Sequence, residues 1–362
     1  MSWWDRLLGR EGRSLENPNV SLTSERAFYE VFGGGGLSSA GVNINASKAL
    51  TVPAVASATD FIAGTFASMP LQVFKKTDNG RETADSDPLY SIVHDVVNDD
   101  NLTSFAWRKQ EMMKVLVFGG RSLTFIERNR AGRVMNLWPL DPAAITVVKV
   151  DGYRYYRGKV NGKQVEYTSD EIIDVPFMME PDGITSIDPV AKFKNAFGLC
   201  IALEEYAARF FQNGGVPPLA MTGPAMSDVA AQRASSDVQN ALKRAKSEQR
   251  NVMVVPNPYE LKPIGVSPED SQLVEARRAQ NLEVARVYHL PPAFIQDLQF
   301  GTFSNTEQQD LQFVKHTMTQ HLAAWESEMN AKLFGVRNRK SYVEFNVDGL
   351  LRGDFKTRFE SY

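Results

Sequence analysis

DPVAKFKNAFGLCIALEEYAARFFQNGG, residues 188–215, is the stretch on which the fold turns. Asp188 is a helix-capping residue type, and Pro189 follows at a first-turn position where a missing N–H costs nothing. No breaker other than Gly198 interrupts the run before Asn213-Gly214-Gly215 and Pro217-Pro218 end it. A continuous helix over these residues is roughly 37 Å long. Val190, Phe193, Phe197, Cys200, Ile201, Ala207, Ala208 and Phe211 make an apolar arc wider than one neighbour requires. A second helix is expected from Ser267-Pro268-Glu269-Asp270, with acid in its first turn, to His289, where Pro291-Pro292 stops it. Leu273, Ala276, Gln280, Val284 and Val287 mark one of its sides. Glu275, Arg277, Arg278, Glu283 and Arg286 cover the rest. Such a pair suits an ordinary hairpin inside one subunit, and equally a helix with identical neighbours or one facing a water-filled channel.

Between these rods, residues 216–267 read as a small module. It has short strands at 219–222 and 260–264, an Ala- and Gln-rich helix at 228–247, and an apolar strand at 251–255. Its basic residues Arg233, Lys243, Arg244, Lys246, Arg250 and Lys262 outweigh Asp228, Asp237, Glu248 and Glu260. A solvated face gives the same pattern, and cations late in a helix also complement its dipole.

Residues 11–48, with Asn-Pro, Gly33 to Gly36 and many Ser and Asn, read as an adaptable arm. No Gly-Lys-Ser/Thr follows the glycines, so they do not read as a phosphate cradle. The start MSWWDRLLGR carries Trp3, Trp4, Leu7 and Leu8 and is too short for a membrane span or signal peptide. Helices are expected at 52–66, 89–97 and 104–118, with strands from 71 and at 122–128 and 134–140. Three further strands at 145–149, 153–157 and 163–167 are separated by the hairpin signals Asp151-Gly152 and Asn161-Gly162. Hairpins after a helical section indicate an α+β fold rather than a repeating βαβ order.

After Pro291-Pro292 comes a connection to residue 305, longer than the usual two to eight or so residues between packed helices. Phe294, Phe300 and Phe303 suit a core plug, whereas Gln296, Asp297, Gln299 and Gly301 suit an exposed tip. A long helix at 306–333 follows, with Leu311, Val314, Met318, Leu322, Trp325, Met329 and Leu333 three or four apart, and then a strand at 342–347.

With 362 residues and 43% hydrophobic content, the chain can bury a substantial core. A net charge of -3 argues against a large basic surface gripping nucleic acid. One cysteine rules out an internal disulfide framework and fits assembly in a reducing cytoplasm. His94, His289, His316 and His321 lack metal-ligand spacing, Cys200 sits in an apolar run, and Glu204-Glu205 and Asp99-Asp100 are adjacent rather than facing. No nucleophile elbow or Walker lysine is present, and no cofactor is expected.

Several pieces, in their order and spacing, carry a resemblance. They are Val52-Pro53-Ala54-Val55, Asp60-Phe61-Ile62-Ala63, Ser68-Met69-Pro70-Leu71-Gln72-Val73-Phe74, Asn136-Leu137-Trp138-Pro139-Leu140-Asp141-Pro142 and Ser186-Ile187-Asp188-Pro189. Phe211-Gln212-Asn213-Gly214, His289-Leu290-Pro291-Pro292 and Phe303-Ser304-Asn305-Thr306-Glu307-Gln308 complete the set. Over residues 50–355 the chain resembles the portal proteins of tailed phages with HK97-like capsids, whether of an infectious phage or of a phage-derived gene transfer particle. The resemblance implies an α+β portal fold: an N-terminal arm (1–48), a wing (49–187), a first stem helix (188–215), a clip (216–267), a second stem helix (268–290), a tunnel loop (291–305), and a long wing helix with the start of a C-terminal region (306–362). It implies a non-enzymatic ring of twelve subunits at one capsid vertex of the virion, assembled in the host bacterial cytoplasm. Such a ring passes double-stranded DNA and meets the major capsid protein, the large terminase ATPase, where ATP hydrolysis resides, and a head-tail adaptor protein. Candidate channel residues are then Glu269, Asp270, Glu275, Arg277, Arg278, Gln296, Asp297, Gln299, Phe300 and Phe303. Candidate docking residues on the clip are Lys243, Arg244, Lys246 and Arg250. Because the chain is net acidic, the expected bore is negative or neutral with scattered basic rings. A soluble α+β enzyme with an unrecognised site is the alternative reading.

Overall fold

The computed structural model describes residues 36–78, 80–160, 162–212, 219–222, 227–247, 260–263, 272–295, 309–335 and 340–347. The chain divides into two compact units, Met1–Leu199 with Asn281–Tyr362, and Cys200–Gln280.

The first unit is built on helices and three antiparallel sheets. A single turn α1 (Ala46–Ala49) leads to α2 (Pro53–Ser68), which opens on Pro53 and buries Ala54, Val55, Ala58, Ile62, Ala63 and Phe66 along one face. Pro70 ends it, and β1 (Leu71–Thr77) pairs on one side with β2 (Gly80–Thr83) and on the other with β11 (Ser341–Phe345) from the far end of the chain. Phe66 lies at the centre of the core, its ring 5.1 Å from Trp325 and 5.0 Å from Phe345, while Trp107 meets Trp325 edge-on at 5.8 Å. Trp107 also donates from Nε1 to Thr124 Oγ1 at 3.1 Å, so the buried indole keeps a polar partner.

Helix α3 (Pro88–His94) stops short of the expected residue 97: Asp95 caps it, and Val96 turns into a bridge with Thr103. Helix α4 (Ser104–Leu116), capped by the Thr103 side chain, closes two residues early as Val117 leaves helical angles and Gly119 and Gly120 take positive φ. Gly120 has a second reason to be glycine, since a Cβ there would stand 2.4 Å from the Ile187 carbonyl oxygen. Strand β3 (Arg121–Arg128) is central between β4 (Val134–Leu140) and β8 (Ile172–Pro176). The meander β5 (Ile145–Val150), β6 (Tyr153–Val160) and β7 (Lys163–Thr168) follows the hairpin signals, and its inner face packs Ile145 and Tyr156 against Leu123, Leu140 and Ile172. Helices beside antiparallel sheets make the α+β class observed.

The expected single rod over 188–215 is two pieces, α5 (Pro189–Lys192) and α6 (Lys194–Gln212). Phe193, at φ −101 and ψ 22, breaks the run, and its carbonyl accepts from the Ala196 and Phe197 amides to start the helix again. The return helix is likewise shorter than expected. Gln272 sits at φ 50, where a helix cannot pass, so α8 starts at Leu273 and runs to Val287. The long helix near the C-terminal end is helical over 309–334, with π segments at Phe313–Met318 and Asn330–Phe334 around α9 (Thr319–Met329). Val314, Met318, Leu322, Trp325, Met329 and Leu333 are buried as the spacing predicted, but Leu311 is 55% exposed.

In the second unit, β9 (Leu219–Thr222) pairs antiparallel with β10 (Glu260–Pro263), and α7 spans Asp228–Ser247. The expected strand at 251–255 lies outside the described residues.

Candidate functional site

Helix α6 has two apolar faces. Phe197, Cys200, Ile201 and Ala207 are buried, whereas Ala208 is exposed and Phe211 is 72% exposed, so those two members of the arc are not packed within the subunit. A second stripe, Leu199, Leu203, Tyr206 and Phe210, recurs at steps of four, three and four about 120° around the helix from the buried one. These four side chains are half-buried to exposed. The Cys200 thiol is pushed up to about 11 by burial, with the Glu204 charge adding. That keeps it protonated and packed rather than nucleophilic.

Helix α8 is seated by its C-terminal end. Val284, Ala285, Tyr288 and Leu290 are buried, the Tyr288 ring stacks on Phe197 at 6.5 Å, and its hydroxyl donates to the Leu116 carbonyl at 3.2 Å. His289 turns the chain out of the helix at φ 52, the Leu290 amide bonds back to the Ala285 carbonyl, and Thr317 Oγ1 donates to the His289 carbonyl at 2.5 Å. Toward its N-terminal end Leu273 is buried and Val274, Glu275 and Arg277 are exposed, with Arg278 half-buried. Arg286 pairs with Glu283 on the same helix. Charges of both signs therefore share the exposed sides of α8, which do not form a row of cations spaced to hold phosphates.

Burial holds the His321 imidazole down to about 4, with the His289 charge adding. Unfolded histidine titrates near 6.5, so on acidification the unfolded chain takes up that proton first. The contribution to stability is full above that pH and is lost as the pH falls toward 4. His321→Gln is expected to flatten the fall in urea midpoint across this window. An unchanged slope would assign the acid sensitivity to other groups.

Helix α7 is exposed along its described side chains from Asp228 to Asn240, apart from half-buried Ala234 and Val238 four residues apart. Val229 is 59% exposed. Lys243, Arg244 and Lys246 fall on its last two turns, and Lys262 on β10 pairs with Glu260 at 3.3 Å. Arg250, Glu269, Asp270, Gln296, Asp297, Gln299, Phe300 and Phe303 lie outside the described residues. Phe294 is half-buried and stacks on the half-buried Phe61 at 5.0 Å. Periodicity did not single out the Leu199–Leu203–Phe210 stripe, although the breadth of the apolar arc pointed to a second partner.

Among the described residues no group of three or more His, Cys, Asp or Glu side chains is placed to hold a metal ion. None of the described helices is long and apolar enough to cross a membrane.

Known proteins place this arrangement. The portal protein of Enterobacteria phage HK97 is 28% identical over 366 aligned positions, covering 98% of this chain and 83% of that protein. An HK97-family phage portal protein from Corynebacterium diphtheriae superposes with a TM-score of 0.62 at 20% identity, over 84% of this chain and 95% of that one. A chain in the neck of a native gene transfer agent particle, computed with C12 symmetry, superposes with a TM-score of 0.59 at 16% identity, over 93% and 94% of the two chains. Residues 53–362 match the sequence model of the family described as phage portal protein, and the chain belongs to that family.

Proposed function

We propose that this protein is the portal of a phage or phage-like particle: a homo-oligomeric ring, twelve subunits in number, at one vertex of the capsid, through which double-stranded DNA enters and leaves. The observation that carries the reading is the two-faced helix α6. One apolar face is used within the subunit, and the Leu199, Leu203 and Phe210 face remains for a neighbour, as a ring built from one repeated heterologous contact requires. The twelvefold neck particle is the source of the subunit number. In this reading residues 49–187 form the wing, 188–215 and 268–290 the stem helices, 216–267 the clip, 291–305 the tunnel loop, and 306–362 the long wing helix with the start of the C-terminal region. Glu275 and Arg277 on α8 face the bore with Glu269, Asp270 and Arg278, and Gln296, Asp297, Gln299, Phe300 and Phe303 contact DNA from the loop. Mixed charge along the bore lets a polyanion slide, where continuous phosphate pairing imposes a salt-dependent grip at every step. The protein supplies no ATP hydrolysis; a terminase does, and major capsid and head-tail adaptor proteins complete its partners.

Native mass measurement tests the ring: the expected species is about twelve times 40.4 kDa. A monomer at all concentrations would overturn the reading. The exposed α7 is the proposed docking surface, with Lys243, Arg244, Lys246 and Arg250 meeting acidic partners. Reversing Lys243 and Lys246 to Glu is expected to leave rings intact and weaken binding to the packaging ATPase or the adaptor, more strongly at low salt. Unchanged binding to both partners across a salt series would remove these residues from the interface.

A further inference from the structure

The long helix carries two competing apolar registers at its start. On an α-helix, where each residue turns about 100°, Leu311, Val314, Met318, Leu322 and Trp325 share one face. The protein uses another set: Phe313 is 3% exposed while Leu311 is 55% exposed. Phe313 and Met318 are five residues apart and both buried, yet on an α-helix they would point about 140° apart. The π turn over Phe313–Met318 brings them to the same side, and the Thr319 amide and hydroxyl both donate to the Val314 carbonyl five residues back. Phe313 then closes a three-ring cluster with Phe61 and Phe294, whose centroids are 5.0 to 5.1 Å apart.

We propose that residues 309–318 are a register switch. In one state, the one observed, the π turn packs Phe313 on Phe61 and Phe294 and leaves Leu311 outside. In the other the turn slips by one residue into α-helix, which rotates everything before it by about 100°, seats Leu311 in the core and withdraws Phe313. Three features make the slip available. Both registers put a large apolar side chain on the buried stripe, π turns are short and concentrate at functional sites, and the residues on either side of the turn are helical. The pivot is tied to the end of α8 through the Thr317 bond to His289. The role of the switch in the conduit rests on the portal reading: a slip re-aims the chain arriving at this helix from α8.

The test uses the full-length protein in three forms: wild type, Leu311→Ser, and a deletion of the exposed His316 that removes the extra residue of the π turn. Hydrogen exchange over residues 309–319 reads the interconversion, and electron cryomicroscopy of the deletion form reads the register. The deletion makes Phe313 and Met318 four residues apart, so it is expected to give a continuous α-helix that holds the observed register, with Phe313 packed and Leu311 outside, and to slow exchange at 313–319 about tenfold by removing the second state. Leu311→Ser removes the anchor of the α state, so exchange is expected to slow while Phe313 stays packed. Phe313 released from Phe61 in the deletion form, or wild-type exchange rates in either variant, would overturn the switch. If the deletion form does not fold, Leu311→Ser decides alone. Native mass on the same samples judges the ring separately, because exchange reports the register in any assembly state.

Discussion

Replacing Asp174 with alanine is expected to cost about 3–5 kcal/mol, because it strips the counter-charge from a buried cation. The Asp174 carboxylate is fully buried. Its Oδ1 lies 2.9 Å from Arg121 Nε, and its Oδ2 accepts from Arg154 at 3.2 Å and from the Tyr156 hydroxyl at 2.7 Å. Burial, with the Asp174 charge adding, pushes the Tyr156 phenol up, so it stays protonated and donating. The Asp174 amide in turn donates to Glu328 on α9 at 3.2 Å. The carboxylate thus joins β3 and β6 to β8, and the backbone amide of the same residue ties β8 to the long helix. The Arg121–Asp174 contact is at ion-pair distance without hydrogen-bond alignment at those atoms, so its contribution is Coulombic and exposed to the loss of either partner. Urea unfolding of Asp174→Ala, Arg121→Met and the double variant checks this. The double variant is expected to recover a large part of the single losses, since removing both charges leaves no unpaired one. Additive losses would show that the two side chains act independently.

What the sequence revealed of this architecture follows from where its signals are local. Asp151-Gly152 marked the β5–β6 hairpin because a tight turn with positive φ at both residues selects those types. Pro53, Asp188-Pro189 and Pro291-Pro292 marked helix boundaries because proline acts through its own ring. Strand β8, with sequence IIDVP, was missed. It is short, and its Asp174 faces a buried arginine, so the alternation that betrays a half-solvated strand is absent. The breaks at Phe193 and Gln272 carry no residue signal at all: a phenylalanine and a glutamine are held out of helical angles by what surrounds them. Leu311 was expected inside because periodicity assumes one helical pitch, and the π turn changes the pitch locally. For the site, polarity alone marked Glu275 and Arg277 as exposed. Which face of α6 meets its own subunit is set by tertiary contacts, and periodicity could not rank Phe211 below Phe197.

That contrast within α6 supplies the second large effect. Phe197→Ala is expected to cost about 3–5 kcal/mol, the range for emptying a buried aromatic site that cannot collapse. Phe197 is fully buried, and its ring stacks on Tyr288, itself 2% exposed and tied through its hydroxyl to Leu116. The backbone beside it cannot move in to fill the space. Gly198 already lies so close to Ser38 that a Cβ there would be 2.3 Å from the hydroxyl oxygen. The cavity would therefore persist, and the end of α8 that carries Tyr288 would lose its seat on α6. Phe211→Ala on the same helix removes a ring of equal size that is 72% exposed, and is expected to change subunit stability by less than about 0.5 kcal/mol. Urea midpoints of the two variants, measured beside native mass, separate folding from assembly. Phe197→Ala is expected to lower the midpoint and leave incomplete rings, whereas Phe211→Ala keeps the wild-type midpoint. Equal midpoints for the two would show that the Phe197 pocket relaxes after all, and that the buried face of α6 does not hold the end of α8 in place.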